Sequence, residues 1–318
     1  KIITRYRSWH GATLGALSAG TDPRKWFAEP LTAPGFIAAP ESYPYRSPFG
    51  EDPDGAKSVR YLRHMIEMEG GSGSIAAILI EPVVGSNGII PTPAFYMRKL
   101  REICDEHGII MIVDETMTGM GRTGKFLAIN HYDVVPDIIV MGKALGMYSP
   151  LSATIFSEKI SRGFDDHIFG HGQSYSGHTL GCAAALASIE VLEEDGFMSL
   201  VDIKGDYLKK KLLLLQQKYE FIGDVRGLGL MWTLELVNPS HEHSSFRNYL
   251  EKYKTTPVKL LAQYLLENNR VYVPGDKFGL WIVPPLIVSF EELDWLVEQL
   301  DDGLDYFKQL IETSKKKQ

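Results

Sequence analysis

The chain has 318 residues, 44% of them apolar and 23% charged, which suffices for two domains or for one large α/β domain with a smaller companion. A net charge of −7 and a pI near 5.8 disfavour nucleic acid and anionic membrane surfaces as partners. Two cysteines in apolar-periodic helices, Cys104 and Cys182, no signal peptide and no apolar run of membrane length predict reduced core thiols in a cytoplasmic protein without a disulfide framework.

Lys1-Ile2-Ile3-Thr4-Arg5-Tyr6-Arg7 reads as a strand already under way, without an initiating Met. Trp9-His10-Gly11 follows, and a flat aromatic there can stack on a pyridine ring or simply anchor a turn. His10 by itself reads as structural. Thr21 to Asp54 is dense in proline (Pro30, Pro34, Pro40, Pro44, Pro48), which predicts a long loop excursion rather than regular elements. A helical pattern covers 56–69 and breaks at Gly70-Gly71-Ser72-Gly73. The strand Ile75 to Ile80 ends on Glu81-Pro82, and a helix over about Ala94 to His107 leads into the next apolar run. This βαβ alternation predicts a mostly parallel central sheet flanked by helices, an α/β fold.

Two apolar runs then share one form. Ile109 to Val113 stops on Asp114, and Ile138 to Met141 stops on Gly142-Lys143, as buried parallel strands ending in a charge. In open parallel sheets ligands collect beyond the carboxyl ends of the strands, so this acid and this amine can face one ligand. Pyridoxal phosphate needs such a pair: its aldehyde condenses with a lysine amine, and its ring draws electrons only while the ring nitrogen holds a proton, which a carboxylate enforces. Either residue alone is ordinarily a helix cap or a solvated strand end. Together, with Gly119-Met120-Gly121-Arg122-Thr123-Gly124 between them, they predict Asp114 at the ring nitrogen and Lys143 at the aldehyde.

Beyond Lys143, Ser149 to Phe156 reads as a strand returning from that edge. The polar loop Gly170 to Thr179 opens a helix over Leu180 to Leu192, and a hydroxyl with free amides at a helix N-terminus suits a phosphate. The remainder predicts an α+β unit. Its elements are a helix from Leu200 to Tyr219, a glycine-interrupted strand from Val225 to Glu235 and a helix from Pro257 to Asn268. Strands Arg270–Val273 and Leu280–Val283 and a helix from Phe290 to Lys308 complete it. His241 and His243 flank Glu242 without further ligands at metal-site spacing, so no metal is expected, and Lys315-Lys316-Lys317 reads as a solvated end.

The run Asp114 to Lys125, Pro136-Asp137, Gly142-Lys143 and the earlier Glu81-Pro82-Val83-Val84-Gly85 resemble the class III (omega) aminotransferases of the type I pyridoxal-phosphate fold. The resemblance implies a large cofactor domain over 1–196, lacking its N-terminal part with a phosphate-gripping turn, and a small C-terminal domain over 197–318. It implies Lys143 as the catalytic amine, Asp114 at the ring nitrogen, Trp9 on the ring face, and His10, Thr116 and Met117 beside the ring. Thr116 departs from the aliphatic residue usual in the family. Glu81 becomes a supporting carboxylate, and Ser174 reaches the phosphate in the neighbouring subunit of a homodimer. Relatives such as 4-aminobutyrate aminotransferase pair a Glu after the Glu-Pro-Val-x-Gly motif with an Arg before the C-terminal Pro-Leu. Here those positions are Ser86 and Trp281, so neither half of that switch is present, and Arg270, 11 positions upstream of Trp281, is the candidate to take over the substrate role. The motifs stand closest to taurine:pyruvate and β-alanine:pyruvate members, which implies an omega-amine donor and pyruvate as acceptor. The alternatives are an aminomutase or racemase on the same scaffold, or a non-catalytic assembly partner.

Overall fold

The computed structural model describes residues 1–194, 196–238, 244, 245, 256–275 and 279–315. They form two compact units, Lys1–Met198 and Ser199–Gln318.

The first unit is built on a six-stranded sheet. Its strands are β1 (Ile2–Arg5), β2 (Phe36–Ala39), β3 (Ala77–Ile80), β6 (Ile110–Asp114), β7 (Ile138–Met141) and β8 (Ala153–Phe156), while β4 (Val83–Val84) and β5 (Ile90–Pro91) make a separate small hairpin. The order is β2-β1-β3-β6-β7-β8, with every pairing parallel except β7 with β8. Helices α1 (Leu14–Ala19), α2 (Ala56–Met68) and α3 (Ala94–His107) precede β6, and α4 (Glu158–Ser161) and α5 (Thr179–Leu192) follow β8.

Register explains the core on one face. Ile3 pairs with Ile78, Ile78 with Met111 and Ile80 with Val113, so one row of side chains crosses three strands. That row is buried against Val59, Leu62 and Ile66 of α2 and Met97, Leu100 and Ile103 of α3, residues at helical spacing on one stripe of each helix. Cys104 lies in the same core, and burial pushes its thiol up to about 12.

The structure departs from the sequence reading in four places. The excursion Thr21–Asp54 contains β2, which pairs in register with β1; its four apolar residues lie between Pro34-Gly35 and Pro40, punctuation that hides so short a strand. Cys182 is exposed rather than in the core, because α5 is apolar on its outward side as well, with Leu180 and Leu186 also exposed. The stretch Val225–Glu235 is a hairpin and not one strand. The predicted strand Arg270–Val273 is absent: Arg270 adopts φ 56° as the left-handed cap that ends the helix Pro257–Asn269, and residues 271–274 follow outside any strand.

In the second unit, helix α6 (Phe197–Lys218) leads into β9 (Ile222–Leu228), β10 (Met231–Asn238), β11 (Ser244–Ser245) and β12 (Gly279–Ile282). The central β10 pairs antiparallel with each of the other three. Leu228 pairs with Met231, so the connection is the two residues Gly229-Leu230, and Gly229 supplies the positive φ such a turn needs. Gly205 of α6 packs on the same corner: a Cβ there would stand 2.4 Å from the Gly229 carbonyl oxygen. The helices Pro257–Asn269 and Phe290–Lys315 meet through Tyr264 and Tyr306, stacked at 3.9 Å. No helix among the described residues is long and apolar enough to cross a membrane. His241, Glu242, His243 and the end of the lysine tail lie outside the described residues.

Candidate active site

Three neighbouring strands of the first unit deliver charge at their carboxyl ends. Glu81 directly follows β3, Asp114 closes β6, and Lys143 stands two residues beyond β7. Adjacent strands lie about 4.8 Å apart, so the order β3-β6-β7 sets acid, acid and amine in a row.

Asp114 is the best-held of the three. It is 6% exposed; its Oδ2 lies 2.8 Å from His10 Nδ1, and its Oδ1 accepts from the Thr116 amide at 3.0 Å. Burial alone would raise its pKa, but the bond and charge of His10 and the bonds from Thr116 outweigh burial and hold it below the usual carboxylate range. Glu81 has the opposite balance. Burial pushes it up, only partly offset by His10 and by the amides of Gly85 (2.9 Å) and Trp9 (3.0 Å) that donate to it. Two buried carboxylates thus differ: one stays ionised, the other leans towards its proton. Arg5, buried at the end of β1, fixes the Glu81 corner by donating to the Glu81 carbonyl and to Thr92 Oγ1.

Lys143 has φ 49°, a left-handed conformation that a non-glycine residue holds only where its surroundings impose it. The residue is exposed and lines a cleft of about 530 Å³ with Met147, Tyr148, Ser149, Pro150, Leu151 and Ser152. Loss of water around the amine lowers its pKa; Asp114 and Glu81 pull the other way, and Arg24 adds to the lowering. The net effect enlarges the neutral, nucleophilic fraction of the amine.

The other predicted residues divide clearly. Trp9 and His10 lie at this cluster through their bonds to Glu81 and Asp114. Thr116 is bonded to Asp114, and a Cβ at Gly142 would meet its Cγ2 at 3.4 Å. Met117 lies against the Gly85-Ser86 corner, where Ser86 Oγ donates to its sulfur at 3.8 Å and a Cβ at Gly85 would meet that sulfur at 2.3 Å. Ser174 is exposed in the loop before α5, with no bond to the cluster among the described residues. Trp281 and Arg270 belong to the second unit. Trp281 lines an apolar cavity of about 660 Å³ there with Tyr272, Pro274, Val283 and Pro285, while Arg270 is exposed at its helix end.

Two residues escaped the sequence reading. Glu115, 1% exposed, accepts from Thr118 Oγ1 and from the amides of Ala128 (3.1 Å) and Ile129 (2.8 Å), so it ties the loop after β6 back on itself. Its position beside Asp114 was visible, but nothing local marked its partners 13 and 14 residues away. Each donor left unpaired in the interior costs about 1–3 kcal/mol, so Glu115→Ala is expected to lower unfolding free energy by several such steps. Denaturant titration measures this; a change below about 1 kcal/mol would show that the loop closes without it. Arg24 is the second, its Cζ 3.5 Å from the centre of the Trp9 ring. Asp22-Pro23, an N-cap followed by proline, was the available signal for the turn that carries it.

An ionised buried carboxylate, an amine biased to its neutral form and an aromatic-His pair, at the strand ends of a mostly parallel sheet, define a pyridoxal-phosphate enzyme. The donor set fits that cofactor, and the buried His10 Nε2 has no partner among the described protein groups. The Aminotransferase class-III family profile matches residues 1–304. Taurine–pyruvate aminotransferase of Bilophila wadsworthia is 33% identical over 317 residues, covering 97% of this chain and 69% of the relative. The leucine/methionine racemase of Thermococcus litoralis is 34% identical over 315 residues, covering 98% and 67%. Among solved structures, taurine:2-oxoglutarate aminotransferase from Bifidobacterium kashiwanohense, in complex with PLP and glutamate, superposes with a TM-score of 0.89 at 33% identity, covering 97% of this chain and 70% of that one. The chain belongs to the class-III aminotransferases, a pyridoxal-phosphate-dependent family.

Proposed function

We propose that this protein transfers an amino group from an omega-amine donor to a keto acid, with pyruvate as the preferred acceptor, and that it works as a homodimer. Pyridoxal phosphate, when bound, supplies an electrophilic aldehyde and a ring that takes up the electron pair released when a substrate C–H bond breaks. Lys143 Nζ would hold the cofactor and, as a free amine, would move the proton between the substrate and cofactor carbons. The lowered pKa of Lys143 favours the unprotonated amine this shuttle requires. Asp114, kept ionised by His10 and Thr116, holds the proton on the ring nitrogen. Trp9 would stack on the ring with Thr116 and Met117 beside it, and Glu81 sets the Trp9 backbone through its bond to that amide. Ser174, exposed in its loop, serves the phosphate of the neighbouring subunit. In this reading residues 1–196 are the cofactor domain and 197–318 the small domain.

The acceptor assignment rests on one observation: both positions of the Glu/Arg switch are uncharged. Ser86 spends its hydroxyl on Met117, and Trp281 faces an apolar cavity of the second unit. A second carboxylate, which 2-oxoglutarate has and pyruvate lacks, meets no bidentate receptor at either position. The expected result is a kcat/KM at least about tenfold higher for pyruvate than for 2-oxoglutarate, the factor that one lost charged hydrogen bond of about 1.5 kcal/mol produces. A preference for 2-oxoglutarate that disappears in Arg270→Ala would replace the assignment and name the receptor.

The racemase relative supports a second reading, inversion at the amino-bearing carbon without net transfer. Incubating a single enantiomer of an amino acid with and without keto acid separates the two. Loss of optical purity without keto acid, and no new amine product with it, would favour racemisation.

A further inference from the structure

Arg24 is organised more tightly than its exposure suggests. It lies in the 3-10 segment Pro23–Leu31, whose N-cap Asp22 accepts from the Arg24 amide at 2.8 Å and from the same guanidinium twice, Nε to Oδ1 at 2.7 Å and Nη2 to Oδ2 at 3.2 Å. The Asp22 side chain is 7% exposed, whereas that of Arg24 is 51% exposed. A guanidinium has two forks of paired N–H groups. Asp22 occupies the Nε–Nη2 fork, and the Nη1–Nη2 fork remains for something else.

The plane is also fixed. Arg24 Cζ stands 3.5 Å from the Trp9 ring centre, a stacking that orients a guanidinium without consuming its donors. Its charge bears on the Lys143 amine as well, placing a cation near the reacting end of the site. Ser86 and Trp281 are uncharged. Building on the aminotransferase reading, we infer that Arg24, held by Asp22 and stacked on Trp9, is the receptor for the anionic head group of the substrate, a carboxylate or sulfonate taken on its open Nη1–Nη2 fork.

Such a head group has two sources, the omega-amine donor and the keto acid. The test uses the pyridoxal-phosphate-loaded protein and its Arg24→Gln and Arg24→Lys variants. With pyruvate as common acceptor, 3-aminopropanoate and 2-aminoethanesulfonate are compared with butylamine. With butylamine as common donor, pyruvate is compared with hexanal. Arg24→Gln should lower the ratio of kcat/KM for anionic over uncharged substrates by about tenfold or more in at least one arm, chiefly through KM, and the affected arm identifies the source. Arg24→Lys, a point charge without the fork, should recover only part of it. An independent readout is calorimetric binding of propanoate and ethanesulfonate, which have neither amine nor ketone to react. Their affinity should fall by about tenfold in Arg24→Gln.

Three results would overturn the inference: equal loss for charged and uncharged substrates, which makes Arg24 only a support for Trp9; weakened pyridoxal phosphate binding with unchanged anion selectivity, which assigns it to the phosphate; or unchanged anion affinity. Turnover of the butylamine–hexanal pair by the parent protein, read as hexylamine formed, reports on amino transfer itself, so failure of that reading is visible separately.

Discussion

Lys143→Ala is expected to abolish amino transfer while leaving the protein folded. In the proposed function its amine has two tasks, holding the cofactor and moving a proton, and proton transfer by a positioned group alone is worth about 10²–10⁴-fold. A loss of at least that size in kcat is therefore expected, together with loss of the visible absorption of the bound aldehyde. The fold should survive because the side chain lies at the cleft, and its left-handed backbone is no less accessible to alanine than to lysine. Borohydride reduction followed by peptide mapping provides the check. In the parent protein the cofactor should be fixed to Lys143; in the variant no lysine should carry it. Cofactor on another lysine of the parent protein would remove Lys143 from its assigned role.

Asp114→Asn should produce the second-largest effect. The amide keeps the shape and the bond from Thr116 but removes the negative charge that faces His10 and, in the proposed function, the ring nitrogen. Removing one preorganised electrostatic partner costs about 10²–10³ in kcat, and binding of the cofactor should weaken less than turnover. There is also a stability signature. Although burial raises the Asp114 pKa, His10 and Thr116 bring it below the ordinary value, so the folded protein binds this proton more weakly than the unfolded chain. The stabilisation is present above the unfolded pKa, about 3.9, and is lost as pH falls through the lower folded value. The stability gap between parent and variant should then be full near neutral pH and close on acidification. A gap that stays constant from pH 7 to about pH 2 would show that the charge on Asp114 contributes nothing to stability.

The strand ends were legible in the sequence because buried parallel strands are uninterrupted apolar runs, and a run that stops on a charge says where the sheet meets solvent. Asp114 and Lys143 were found in this way. The bond between His10 and Asp114 was not, since it joins residues 104 apart and no local pattern encodes a partner at that distance. Arg24 was missed for a related reason: its contact is with a ring 15 residues earlier, across a turn whose prolines looked like plain loop. The same proline density concealed β2. Arg270 was misread because a left-handed helix cap is usually glycine, and an arginine in that conformation leaves only the apolar Val271 and Val273 as a signal, which imitates a strand.

The row of strand-end groups has a consequence for how the protein matures. Glu81 meets the Trp9 amide across 72 residues and Asp114 meets His10 across 104, so neither contact exists until β1, β3 and β6 have taken their register. Before that, Lys143 is one lysine among many, with an unshifted amine and no carboxylates beside it, and an aldehyde has no reason to choose it. On the proposed assignment, selective attachment at Lys143 is thus a property of the finished sheet rather than of the motif around the lysine. On that assignment the cofactor would act as an inspector of folding, settling stably only in chains whose distant segments have already come together.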